Sequence, residues 1–274
     1  MRRFITAGPK VGVCNICGEE GPLTEDHTPP KGAVRVTQVE MRHIKSLLSA
    51  EETGEKARVS QNGVKFRTLC KRCNNSLLGA NYDIAFNDFC QKIASYLKSP
   101  LVLPEILHIT GKPQKIVRSV LGHLCAMGVN RYKKGPNTED LRNYLIDQTE
   151  TFPDYLDVYY WVYPYQTQVL FRDAAMTILS LGHPASVWLM KFFPVAFFVI
   201  WDKPHGYQYP QFPNMATWGH LGIDDDIELP VHLNVVPHER WPEAPDDGRI
   251  LVYGQQAMGV HEKAKKNNKL PGAK

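Results

Sequence analysis

The sequence predicts an α+β fold, on three observations. Two long stretches have the apolar spacing of helices, a later block is dense in aromatic and β-branched residues, and neither kind of segment alternates regularly with the other. The chain has 274 residues, 43% apolar and 22% charged, which suits one large domain or a small module joined to a larger one.

The elements follow in order. "VKFRTL", 64–69, alternates as a strand does, and "CKRCNNSLL" can open a helix. "IAFNDFCQKIASYL", 84–97, places Ile84, Phe86, Phe89, Cys90, Ile93 and Leu97 at roughly helical spacing. Pro100 and Pro104 then break the pattern, so a first region over 1–98 and a second over 105–260 are expected. In 113–130 a proline suits the first turn, and Ile116, Val117, Val120, Leu121, Leu124 and Met127 share one face. "NTEDLRNYLIDQ" reads as a further helix, with Asn137 or Thr138 at its N-cap. "YLDVYYWVYPYQTQVLFR" reads as a hairpin broken near Pro164 to Gln166. "SVWLMKFFPVAFFVIW", 186–201, is too short for a bilayer span and carries Lys191 and Pro194, so a buried strand pair is expected. Further strands are expected over 231–236 and 249–253, and a basic disordered tail over 261–274.

No secretory signal is visible, since Gly8 and Pro9 interrupt the start before an apolar core develops; the expected compartment is the cytoplasm. There, six cysteines are thiols or metal ligands in preference to disulfides. Net charge is +4, and the excess is local: residues 1–80 carry 13 Lys and Arg against 8 Asp and Glu. That segment suits a polyanionic partner.

Cys14-x-x-Cys17 and Cys70-x-x-Cys73 are two chelating pairs, each on a tight turn that brings two thiolates to one ion at about 2.3 Å. Four thiolates leave no open position, so a structural zinc is expected, joining segments 52 residues apart. Cys90 and Cys125 lie in apolar helical patterns and read as packing residues. The histidines at 108, 123, 183, 205, 220, 232, 238 and 261 show no ligand spacing.

"CNICG", "EDHTPPKG" and "LCKRCNNSLLG", in this order, resemble the HNH endonuclease family, in its tetracysteine subgroup. The likeness covers about 10–85 only. It implies a zinc-stabilised ββα-metal module with an insertion at about 33–62, followed by a larger α+β domain. By similarity His27 is the general base, and Asp26 and Asn74 hold one divalent cation, Mg²⁺ or Mn²⁺, with Asp83 as a further candidate ligand. The implied activity is metal-dependent hydrolysis of phosphodiester bonds in DNA, with double-stranded DNA as partner. Such a module fused to another domain is common in restriction and phage-defence proteins; the residues themselves do not exclude RNA. The chemistry asks for these groups: a neutral imidazole activates water, and a hard cation on oxygen ligands meets the developing charge.

Arg67, Lys71 and Arg72 flank the second Cys pair and are candidate phosphate contacts. The sequence departs from the family pattern at three places. Asn62, eight residues before Cys70, is the nearest residue to orient the base, with a backbone carbonyl as the alternative; Leu78 stands where some members place a metal ligand; and 36–61 reads as an inserted helix and loop. These departures keep a rival open, a zinc-stabilised binding protein that does not cleave. The aromatic residues of 105–260 suit a core, a homo-oligomer interface or a base-stacking surface. A membrane partner is not expected.

Overall fold

The computed structural model describes residues 4–49, 56–133, 135, 137–178, 184–202, 212–245 and 248–263. The fold is α+β, built from three antiparallel sheets and four α-helices among the described residues.

The first sheet is β1 (Val11–Val13), β2 (Glu20–His27) and β5 (Lys65–Cys70), in the order β1-β2-β5. A π-helical segment, Arg72–Tyr82, leaves β5 and runs directly into α2 (Asp83–Leu97). Its buried residues are Cys73, Leu78 and Tyr82. A spacing of five between the first two suits i→i+5 winding, which brings them to one face where an α-helix does not.

The large sheet has eight strands. Its order is β4 (Arg58–Ser60), β3 (Val39–His43), β13 (Met258–Glu262), β8 (Gln168–Ile178), β9 (Ala185–Phe192), β10 (Val195–Trp201), β7 (Leu156–Val162); β12 (Arg249–Val252) also pairs with β8. Both faces are buried. Along β10, Val195, Phe197 and Val199 enter one apolar core, and Ala196, Phe198 and Ile200 enter a second. That explains the unbroken apolar run in the sequence. The first core continues through α2, α3 (Pro113–Ala126), α4 (Thr138–Ile146) and the small sheet, so one packed interior lies on both sides of the Pro100–Pro104 loop.

Four expectations are corrected. Strands β7 and β8 do not form a hairpin: β9 and β10 lie between them, so that each strand of that apolar pair is covered by a neighbour on both edges. The insertion is strand, short helix and strand; β3 pairs with β13 in register Met41↔Val260, with α1 (Ile44–Leu48) following, while 50–55 lie outside the described residues. The strand expected at 231–236 is β11 (Ile227–His232), paired with β6 (Ile106–Gly111) in a two-stranded ribbon; Pro230 hid it, although an edge strand tolerates proline. His261 and Glu262 of the expected tail complete β13, and 264–274 lie outside the described residues. Helix α4 begins at Thr138 with Asn137 at the N-cap position, without a capping bond from the Asn137 side chain.

Candidate functional site

The four cysteines meet. Cys14 and Cys17 lie in the loop between β1 and β2, Cys70 ends β5, and Cys73 lies in the π-helical segment; their sulfur atoms are all within 4.8 Å of one another. A zinc–sulfur tetrahedron with bonds of 2.3 Å has edges of about 3.8 Å, and the Cys17 and Cys70 sulfurs are 3.8 Å apart. Gly18, at φ +75°, makes the turn after Cys17 in a conformation that favours glycine, and its N–H donates to the Cys14 carbonyl at 2.9 Å. Without a metal the crowded thiols share protons unequally. Hydrogen bonds from Cys17 and Cys73 pull the Cys14 pKa down to about 3, and the same contacts push Cys73 up. The residues present therefore fit one Zn²⁺, which this cluster could hold through four thiolates.

This loop is tied to the second region by Asn15, which is fully buried. Its amide donates to the Cys125 and Gly128 carbonyls at 3.0 and 2.9 Å, and its Oδ1 accepts from the Arg131 N–H at 3.1 Å. Thr68 of β5 adds a 2.6 Å bond to the Ala126 carbonyl.

Strand β2 carries the Asp-His pair to its end, opposite β5 in register Asp26↔Phe66 and His27↔Lys65. Successive residues face opposite sides, and burial follows: Asp26 is 3% exposed, while His27 is half-buried. The His27 Nε2 lies 3.1 Å from the Asn62 carbonyl. Asn62 thus orients the ring through its backbone, the alternative foreseen to a side-chain contact. The neighbouring Gly63 turns at φ +65°. A carbonyl only accepts, so Nε2 carries the proton and Nδ1 is the basic nitrogen. Burial lowers the His27 pKa, aided by Lys65 and opposed by Asp26, and keeps the ring neutral near pH 7.

Asn74 serves β2 directly. The β2–β5 register shifts at Thr24 and Glu25, and the Asn74 amide donates to the Thr24 hydroxyl at 2.9 Å and the Glu25 carbonyl at 3.0 Å, supporting the backbone at this irregularity. Glu25 also gathers cations. Lys65 Nζ lies 2.7 Å from Oε2 and Arg67 Nη2 lies 3.0 Å from Oε1, and Lys65 above all holds the Glu25 carboxyl below its usual range. Lys71 is exposed, and Arg72 faces Glu19 at 3.6 Å.

Asp26 and Asp83 come together, but on a residue that the motif does not contain. His123 of α3 places Nδ1 2.8 Å from Asp26 Oδ2 and Nε2 2.9 Å from Asp83 Oδ1. Ser119, one turn earlier, donates to the same Asp83 oxygen at 2.7 Å. Of the expected cation set, Asp26 and Asp83 have the His123 ring between them, and Asn74 donates to β2 through Nδ2, the nitrogen of its amide. Among the described residues, the sulfur cluster alone brings three or more His, Cys, Asp or Glu ligands together.

Neither protein-family profiles, curated proteins nor solved structures give a match to this chain. Membrane-crossing helices are absent among the described residues: none is long and apolar enough.

Sequence reasoning missed His123, Ser119, Glu25 and Asn15. One signal was present for the first two. Ser119 and His123 are polar residues four apart within an otherwise apolar run, which puts both on one helix face.

Proposed function

We propose that the chain is a zinc-stabilised phosphodiesterase of the HNH type, acting on double-stranded DNA, with His27 as general base. The observation that carries this reading is the carbonyl-held imidazole of His27 at the end of β2. It sits in an antiparallel pair whose other strand, β5, leads through the sulfur cluster into a helix. In the reaction a water attacks phosphorus while His27 Nδ1 accepts its proton, and the bond to the 3′ oxygen breaks, that oxygen taking a proton from solvent. Lys71 and Arg72, on the exposed start of the helix, meet backbone phosphates. The likeness implies Mg²⁺ or Mn²⁺ as cofactor, supplying counter-charge to the developing phosphorane. The ligands that the likeness implies for it are Asp26, Asn74 and Asp83, and His123 already stands between the two carboxylates.

That same occupancy favours the rival, a zinc-stabilised DNA-binding protein. Plasmid nicking by the purified chain, with Mg²⁺, with Mn²⁺ and with chelator, separates the two. Cleavage that falls by about 10²–10⁴ in His27→Ala supports the nuclease. Duplex binding without cleavage, equal in both proteins, supports the rival.

A further inference from the structure

His123 is 2% exposed, and both of its ring nitrogens meet a carboxylate oxygen. Burial raises the Asp26 pKa and the His123 ring opposes that rise; with both carboxylates ionised, two such bonds need a proton on each nitrogen, and the ring is then an imidazolium. A neutral ring would set one lone pair against a carboxylate in a buried place. The ring is held from several sides. Thr28 Oγ1 donates to the His123 carbonyl at 3.3 Å, and Ser119 secures Asp83. At Gly122 a Cβ would come within 2.4 Å of Leu78 Cδ2, so α3 lies close against the π-helical segment and a side chain there would displace Leu78.

A divalent cation bridging the two carboxylates needs oxygens at about 2.0–2.6 Å. Here they lie at opposite edges of a ring, and one imidazole cannot give both nitrogens to a single ion. We propose that His123 is a built-in cation. Its imidazolium fills the position between Asp26 and Asp83 that a divalent metal would take, closes it to Mg²⁺ and Mn²⁺, and fixes the strand end that carries His27. The second region thereby supplies a positioning residue to the site. The positioning role rests on the nuclease reading; the charge on His123 does not depend on whether the chain cleaves DNA.

The test uses the zinc-loaded full-length chain with ¹⁵N-labelled histidine, and reads no cleavage. Both His123 nitrogens should be protonated at neutral pH, and should stay protonated with one equivalent of diamagnetic Mg²⁺. A neutral tautomer, or loss of a ring proton from His123 on adding Mg²⁺, overturns the proposal. In His123→Ala, with folding confirmed by zinc content, calorimetry should show Mn²⁺ binding at least about tenfold tighter than in the parent, reversed by adding Asp83→Asn. A folded variant with no such gain also overturns it. Should the variant not fold, the parent spectrum alone decides.

Discussion

Two polar clusters draw on the same short pair of strands and differ in what completes them. At the sulfur cluster, four like donors converge with nothing between them, and one thiol is driven toward ionisation by its neighbours. At the carboxylate cluster, two acids are also drawn together, yet a histidine from a distant helix stands between them. Like donors packed without a counter-charge call for an ion from outside. Where the fold provides its own positive group, that call is answered internally. The first cluster could thus hold a metal ion, and in the second a histidine already stands between the acids.

The largest effect should come from the cluster that depends on an outside ion. Cys73→Ser should reduce zinc from one per chain to a trace and cost on the order of 5 kcal/mol, read by elemental analysis and a thermal melt. A parent protein that purifies without metal and melts unchanged with chelator would break the contrast at its root.

Next comes Asp26→Ala. It strips one acid from a buried imidazolium and should cost about 3–5 kcal/mol in a urea melt, because breaking a buried pair leaves a charge uncompensated. A cost below about 1 kcal/mol would mean that His123 is not charged. The two clusters should also fail at opposite ends of the pH scale. Burial works against the charged His123 ring, but Asp26 and Asp83 outweigh it and raise its pKa well above the ordinary value. Its stabilisation is therefore complete below about 6.5 and is lost as pH rises through the elevated folded value. Thiolate binding of zinc weakens instead as pH falls, since protons compete with the metal. Urea midpoints across pH 6–10 should decline for the parent, and His123→Gln should flatten that decline.

The same contrast explains what the sequence reveals. Cys14, Cys17, Cys70 and Cys73 come as two short-range pairs, so ligand spacing survives in the linear order. The returning strand and α2 were legible for a like reason, since local alternation and helical spacing encode them, whereas the Asp-His strand was implied only by the family resemblance. His123 lies 97 residues from Asp26, and no local rule links the two. The partners of β7 were hidden too, because relative burial of whole strands decides a sheet's order, and a turn signal at Pro164 cannot report it. Asn62 shows an intermediate case: the residue was visible, but whether its side chain or its carbonyl reaches His27 depends on the turn at Gly63.

Asn15 tests how far the two clusters share a frame. Asn15→Ala removes two buried hydrogen bonds and one part-buried bond between the cysteine loop and the end of α3 with the segment after it, and should cost about 2–4 kcal/mol. Zinc content should stay near one per chain, because the sulfur ligands remain. Simultaneous loss of zinc would show that the loop depends on α3 as much as on the metal.

The smallest effect on stability belongs to Arg72, and it separates folding from recognition. Its side chain is 59% exposed and faces Glu19, itself 67% exposed, at 3.6 Å. Such a surface pair contributes at most about 0.5 kcal/mol, so Arg72→Ala should leave the melting curve almost in place. Arg67 differs: at 28% exposure it shares Glu25 with Lys65, so its removal disturbs the strand pair as well as the surface. If Arg72 meets a phosphate, Arg72→Ala should weaken binding to unrelated duplexes alike, and the slope of log affinity against log salt should fall by about 1. A slope that does not move, with affinity unchanged, removes Arg72 from the nucleic-acid face and leaves Lys71 as the cation to test there.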